Sequence, residues 1–391
     1  MAFAVNTSAY TAEIIAGSLK ATPHGEIEAA KAMGMDPGTY DGALGVELGL
    51  KRYLGKIDWN ISDNHLLELL AFSDESSADS TQNLYNWQDK NISNLSSTVW
   101  PAYYTCISNC DVLLERIDKI TTETAADLQK KQAIKAEAQL LKAMCYFDLL
   151  RIYATPYDEN PDDDGIIIKN MFGFETNGRS SKKTCIGMIN SLITKASEVR
   201  NQPSKNGWLS QTAADYLLAE TALYMGDYKK AAEYADDVIE QGDDSKIGGE
   251  SYSRLWRTES YGGRIFAFNT QNSYYVAIEY DSSEGDYYAG NPAFTFTDED
   301  VRAKYTLYPK DQNGKTRNLM GKYNMMNKQG TQPNYINRMR YAGAYFIAAE
   351  AYARDNNEQM ARERINHYLQ LVSADPIADN TTGDALVQAI L

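Results

Sequence analysis

In the polar stretch 60–99, Asp74, Tyr85, Trp87 and Asn91 bring together the residue types that a sugar ring asks of a protein. A pyranose has an apolar C–H face and a rim of hydroxyls, so it needs a flat aromatic plate with amides and carboxylates around it. Each of these rings has an equal alternative, packing onto a helical layer. Cleaving a glycan would need more: two carboxylates about 5–10 Å apart, one with a raised pKa. Acidic residues are plentiful, but no motif fixes two of them across a cleft, and GxxxxGK[ST], GxSxG and HExxH are all missing from the chain. The pattern points to binding, with no catalytic residue, no reaction and no cofactor expected.

Metal and redox chemistry are equally thin. His24, His65 and His367 are scattered, and the four cysteines include no CxxC pair, so no metal site is expected. Cys106 and Cys110 lie four apart on one helical face, where Cβ atoms sit about 5–6 Å from each other against about 3.8 Å in a disulfide. With Cys145 and Cys185 they are expected to be buried free thiols. Asn160–Gly165, NPDDDG, has the first half of a calcium-loop pattern, but position twelve would be Met171, and Ile166–Ile168 reads as a strand rather than an exiting helix. A solvated acidic turn is expected there.

The elements that must hold such residues come from a chain of 391 residues with 53 acidic and 38 basic side chains, a net charge of −15. That length suits one large or two ordinary domains, and 43% hydrophobic residues suffice for a real core. A chain this acidic, without a block of lysine or arginine, repels a phosphate backbone, which excludes nucleic acid as a partner. No apolar run reaches the roughly 18 residues of a membrane span; the longest candidate, Tyr341 to Ala353, is interrupted by Glu350.

Three segments have helical periodicity. From Trp100 to Tyr153, apolar residues at spacings of three and four run through a break at Thr121–Thr124, which predicts an antiparallel helix hairpin. From Thr212 to Glu240, alanines at 213, 219, 222, 231, 232 and 235 allow two helices to approach closely, with aromatics at 216, 224, 228 and 234 between them and a turn at Gly226-Asp227. Gly226, Tyr228 and Ala231 resemble the turn glycine, aromatic and small residue of a tetratricopeptide unit. The third segment repeats the scheme around Asp355-Asn356-Asn357. The fold class is thus mainly all-α, built of tetratricopeptide-like helix pairs at about 100–153, 209–240 and 338–372. A long mixed insertion at about 241–335 carries loops and short strands such as Arg264–Phe268 and Tyr274–Tyr280. Loops of that length on a rigid scaffold are where binding usually resides. Trp100 and Trp208 stand at expected helix starts and are read as core.

Lys135–Tyr157, KAEAQLLKAMCYFDLLRIYATPY, resembles the RagB/SusD family of nutrient-binding surface lipoproteins. The matching positions are Ala136, Glu137, Ala138, Lys142, Ala143, Tyr146, Phe147, Leu149, Arg151, Tyr153 and Pro156, with Lys142 and Ala154 standing where arginine and glycine are commoner. Further matches follow in order: Trp100, Tyr103, Ile107 and Asn109; Ala213 to Tyr228; Asp300-Val301-Arg302; and Ala349-Glu350-Ala351 with Asn366. The resemblance covers about residues 40–391. It implies a non-enzymatic binder at the outer-membrane surface, holding an oligosaccharide or other nutrient for a SusC-like TonB-dependent transporter. It also implies that ligands are held by loops near residues 60–99 and by the insertion, which adds Trp256, Tyr287, Tyr288 and Asn291 to the candidate binding residues. The rival reading is a helical-repeat interaction scaffold with no small ligand.

Both ends depart from that family. Its members begin with a lipoprotein signal and a lipidated cysteine, whereas the first cysteine here is Cys106. Phe3–Met35 instead resembles a permease subunit of polar amino-acid ABC transporters, with Gly25, Glu28, Ala29, Ala30 and Gly34 on the loop that docks an ATPase. Residues 1–37 are therefore expected to be a foreign segment joined near Asp36-Pro37-Gly38, a native amphipathic helix being the other reading. The remainder, 38–391, is read as one SusD-like domain. Asp384–Leu391 reads as the opening of a helix that continues in the family, so a C-terminally incomplete domain is expected.

Overall fold

The computed structural model describes residues 89–171, 173, 176–196, 209–256, 262–269, 288–289, 296–303, 307–312, 315–320 and 335–391. Among them are eight α-helices and five short strands, so the body is mainly helical, as the periodicity predicts. The chain forms two compact units, one built on Tyr103–Arg200 and the other on Asn201–Leu391.

In the first unit, helix α1 (Asp89–Ile117), from Tyr103 onward, and helix α2 (Ala125–Tyr153) run antiparallel. The register is fixed by side chains: Tyr103 donates to Asp148 at 3.2 Å, Lys142 pairs with Asp111, and Lys135 pairs with Asp118 at 2.7 Å, one partner's number climbing as the other's falls. Ile107, Ile117, Ile134, Leu141 and Leu149 fill the seam. The Thr-rich break is a capped turn, in which the Thr124 hydroxyl accepts from the N–H of Asp127 and Lys131 reaches back to the carbonyl of Ile120. α1 starts at Asp89, eleven residues before the expected Trp100. Pro101 lies inside the helix, and Trp100 is half-buried rather than core.

After α2 the chain meets Pro156 and turns through Asn160–Gly165. The carbonyl of Asn160 accepts from the N–H of Asp163, its side chain accepts from Asp162, and Asp162, Asp163 and Asp164 are exposed, so this is a solvated turn. Ile166–Ile168 is extended but is not a strand; an isolated bridge joins Asp164 to Ser181 just before it, and Gly165 and Ile166 exchange backbone bonds with Ser180. Two phenols take the place of a neighbouring strand. The Tyr104 hydroxyl donates to the Ile167 carbonyl and accepts from the Ile167 N–H, and Tyr146 does the same for Lys169. Burial holds both phenols well above their ordinary pKa. Gly165 has to be glycine, because a Cβ there would lie 2.9 Å from Cys185 Sγ and 3.0 Å from the Ser180 carbonyl.

Helix α3 (Lys182–Lys195) then packs on α2. It escaped the sequence reading although Ser181 caps it and Cys185, Ile186, Ile189, Leu192 and Ile193 follow at helical spacing. Lys182, fully buried, donates to Thr155 Oγ1 and the Pro156 carbonyl, a cation beside the carbonyl end of α2. All four cysteines are buried free thiols, and burial pushes Cys106, Cys145 and Cys185 above their ordinary pKa, which makes them poor nucleophiles.

The second unit stacks α4 (Gln211–Met225), α5 (Tyr228–Glu240), α6 (Tyr341–Arg354) and α7 (Glu358–Leu371), each helix packing on the next. The six alanines singled out in α4 and α5 are all buried, and Gly226 closes α4 in the left-handed conformation at φ 76°. Gly343 on α6 receives Tyr216 of α4, whose hydroxyl stands 2.1 Å from where a Cβ would be. A last helix, α8 (Gly383–Ile390), packs on α6 and α7 through Leu386 and Ile390.

Between α5 and α6 the insertion carries 3-10 turns at Asp244–Lys246 and Gly249–Trp256 and two small sheets. β1 (Arg264–Asn269) pairs antiparallel with β5 (Tyr335–Arg340), while β2 (Tyr288–Ala289), β4 (Lys315–Met320) and β3 (Leu307–Gln312) follow in that spatial order. Pro309 is tolerated because β3 is an edge strand. The Tyr274–Tyr280 strand expectation lies outside the described residues. The third pair begins at Tyr341 rather than 338, since 335–340 is strand: Met339 is buried while Arg338 and Arg340 flank it on the other face, a period of two.

Tyr352 on α6 donates to Asp236 Oδ2 at 2.7 Å, and burial together with this bond raises its phenol to about 12. The folded phenol holds its proton above the unfolded value near 10, so its contribution to stability is full below pH about 10 and is lost as pH rises toward about 12. Alkaline unfolding followed by circular dichroism is expected to show a shallower decline in Tyr352→Phe; an unchanged slope would refute the assignment.

Candidate functional site

The expected binding residues divide between the two polar regions. Asp74, Tyr85, Trp87, Tyr287 and Asn291 lie outside the described residues. Asn91 stands in the first turn of α1 rather than in a loop, Trp256 ends the Gly249–Trp256 turn, and Tyr288 opens β2 opposite Leu319 of β4. The structure therefore neither gathers these residues into one site nor separates them.

What it describes in detail is the base on which the insertion stands. Arg264 on β1 is 5% exposed and cannot remain charged there without acceptors. It donates through Nε to Asn337 Oδ1 on β5 and through Nη2 to the Leu255 carbonyl at 2.6 Å; Asn337 Nδ2 donates to that same carbonyl at 3.0 Å. One arginine and one asparagine thus tie three separated pieces of the insertion to each other. Arg338 on β5 pairs with Glu220 of α4 at 3.3 Å, and the Tyr341 N–H donates to the Gly263 carbonyl, which fastens the sheet to the helical stack.

A second root lies at Asp300-Val301-Arg302. Arg302 grips the buried Asp300 through Nη2 at 2.7 Å, its guanidinium faces the rings of Phe296 and Tyr368, and the Val301 N–H donates to the carbonyl of Val372, just past α7. Asn366 brackets the returning chain by bonding both the carbonyl and the N–H of Ile377. These motif residues have structural partners: Arg302 answers the buried charge of Asp300, and Asn366 satisfies the backbone of Ile377. The β3–β4 hairpin was missed in the sequence although Asn313-Gly314, between Gln312 and its partner Lys315, is a strong two-residue turn signal.

Among the described residues, no three His, Cys, Asp or Glu side chains are grouped to hold a metal ion, and no helix is long and apolar enough to cross a membrane.

A family model for SusD-like proteins, described as "starch-binding associating with outer membrane", matches residues 55–219. Among solved structures, a SusD-like carbohydrate binding protein from Bacteroides vulgatus superposes with a TM-score of 0.74 at 21% identity, covering 90% of this chain and 79% of that one. A SusD superfamily protein from Bacteroides fragilis gives 0.69 at 19% identity, with 88% and 84% covered. One from Bacteroides thetaiotaomicron gives 0.67 at 18%, with 89% and 83% covered. These likenesses establish a shared fold. Separately, 34 residues are 59% identical to the histidine/lysine/arginine/ornithine permease HisM of Salmonella typhimurium and of Escherichia coli, 9% of this chain and 14% of those proteins. The chain spans about one seventh of the length of the curated relatives it matches.

Proposed function

For this chain, SusD-like by its match over residues 55–219 and by its fold, we propose that it binds carbohydrate at the outer-membrane surface, without altering it, for import through a TonB-dependent transporter. The match to a starch-binding, outer-membrane-associated family carries this reading. The architecture supports it: a stack of paired helices holds a long insertion through the Arg338–Glu220 ion pair and the backbone bonds of Tyr341 and Val301, which suits loops that contact a solute while their base stays fixed. Ligand contacts belong to Asp74, Tyr85, Trp87, Asn91, Trp256, Tyr287, Tyr288 and Asn291, with the rings as plates and the polar side chains as hydroxyl partners.

A glycan array followed by calorimetry on the best ligand tests it. Trp87→Ala is expected to weaken binding at least about tenfold, the scale of losing a central aromatic anchor. The same sugars incubated with the protein are expected to release no reducing ends. Binding to no glycan on the array would sink the proposal. For the transporter, the full-length protein drawn from outer membranes is expected to bring a barrel with it; capture of soluble proteins instead would favour the helical-scaffold reading.

A further inference from the structure

Within the unit built on Asn201–Leu391, an open cleft of about 440 Å³ lies where the end of α5, the Asp244–Lys246 turn, α6 and α7 meet. Asp244 is its centre. Its Oδ1 accepts from the Tyr345 hydroxyl at 2.8 Å and its Oδ2 lies 2.7 Å from His367 Nε2. The His367 ring stacks on Tyr345 with centroids 5.5 Å apart and planes 21° apart, yet His367 and Asp244 keep 45% and 46% of their side chains exposed.

The surroundings hold this arrangement in place. Tyr345 is buried, and burial together with its bond to Asp244 pushes its phenol up, so it remains a donor. Arg364 is anchored by two bonds to Asp236, which also accepts from Tyr352, and extends Nη1 to Glu363 at the rim. A ligand would therefore meet groups already ordered, which lowers the entropy cost of binding. The chemistry on offer is a carboxylate whose oxygens are aimed but keep acceptor capacity, an imidazole face, and a carboxylate–guanidinium rim. A ring with adjacent hydroxyls and a C–H face uses all three. Asp243, Asp244 and Glu363 outweigh Arg364, whose charge Asp236 already answers, so an anionic sugar is repelled.

We propose that this cleft, lined by none of the binding residues assigned above, is a second carbohydrate subsite that takes a neutral or amine-bearing pyranose and rejects a uronate. It rests on the carbohydrate-binding reading above. The test follows the His367 imidazole C–H resonance, assigned by its loss in His367→Gln from among three histidines, during titration with maltoheptaose, xylohexaose, chitosan hexamer and hexagalacturonate. At least one of the first three is expected to give a saturable shift and hexagalacturonate none. Asp244→Asn, which keeps an acceptor for Tyr345, should raise the midpoint of that shift at least tenfold. If that variant misfolds, the exposed Glu363→Gln should raise it about threefold. Calorimetric binding with a stationary His367 signal would overturn this inference and leave the proposed function standing; no binding of any sugar by either method would remove both. A response to hexagalacturonate equal to the others, or one unchanged in the folded variants, would also overturn it.

Discussion

Replacing Lys142 with methionine is expected to lower the unfolding free energy by about 3–5 kcal/mol at pH 7, the scale of breaking a buried ion pair by removing one partner. Lys142 and Asp111 are 8% and 5% exposed at their side chains and join the middle of α2 to the last third of α1. Burial already pushes the Asp111 carboxyl up, with Lys142 opposing, and Asp111 Oδ2 has no hydrogen-bond partner among the described residues. Without the ammonium the carboxylate either stays charged in an apolar seam or takes up a proton. Its folded pKa then rises further above the unfolded value, so stability is full below that unfolded value and drains away as pH rises through the folded one. Urea unfolding should accordingly show a deficit that grows from about pH 4 to pH 7. The double variant Lys142→Met with Asp111→Leu should recover most of the loss, since a hydrophobic pair of similar volume can replace a buried salt bridge. A single variant within about 1 kcal/mol of wild type would refute the argument.

Gly248→Ala is expected to be nearly as damaging for a different reason. A Cβ at this buried position would stand 1.6 Å from the carbonyl oxygen of Leu371 and 2.4 Å from its carbonyl carbon, at the end of α7. A side chain in the way can rotate; a helix terminus cannot, so either the Asp244–Trp256 turns or the end of α7 must shift. We expect a loss of about 3 kcal/mol or more, at the upper end of overpacking effects. Gly187→Ala on α3 is the control, because its added Cβ meets nothing within 4 Å and should gain up to about 1 kcal/mol from helix propensity. Equal melting of both variants would mean that the close approach at Gly248 is not maintained in solution.

The helical platform was legible because its signals are local and repeated. Alanines at close-packing positions, Gly226 at a left-handed cap and apolar residues three and four apart each dictate structure within a turn or two of chain. The errors arose where a local signal had two meanings. The run of three isoleucines at 166–168 imitates a strand, and 338–340 blends a period-two ladder into the helix that follows. The candidate site was legible as composition only. Rings in loops obey no period, and the described base of the insertion is held by anchors distant in sequence, Arg264 with Leu255 and Asn337, which pair across 9 and 73 residues. The cleft around Asp244 was invisible for the same reason: Tyr345 and His367 lie 101 and 123 residues away from it.

Tyr104 and Tyr146 give the extended segment at 167–169 a property that a sheet would not. The amide hydrogens of Ile167 and Lys169 are guarded by side chains rooted in α1 and α2, so they exchange with solvent only when a rotamer swings out or the helices themselves separate. The segment is thereby enrolled in the cooperative unit of the hairpin, its backbone held by two phenols on neighbouring helices rather than by a partner of its own kind.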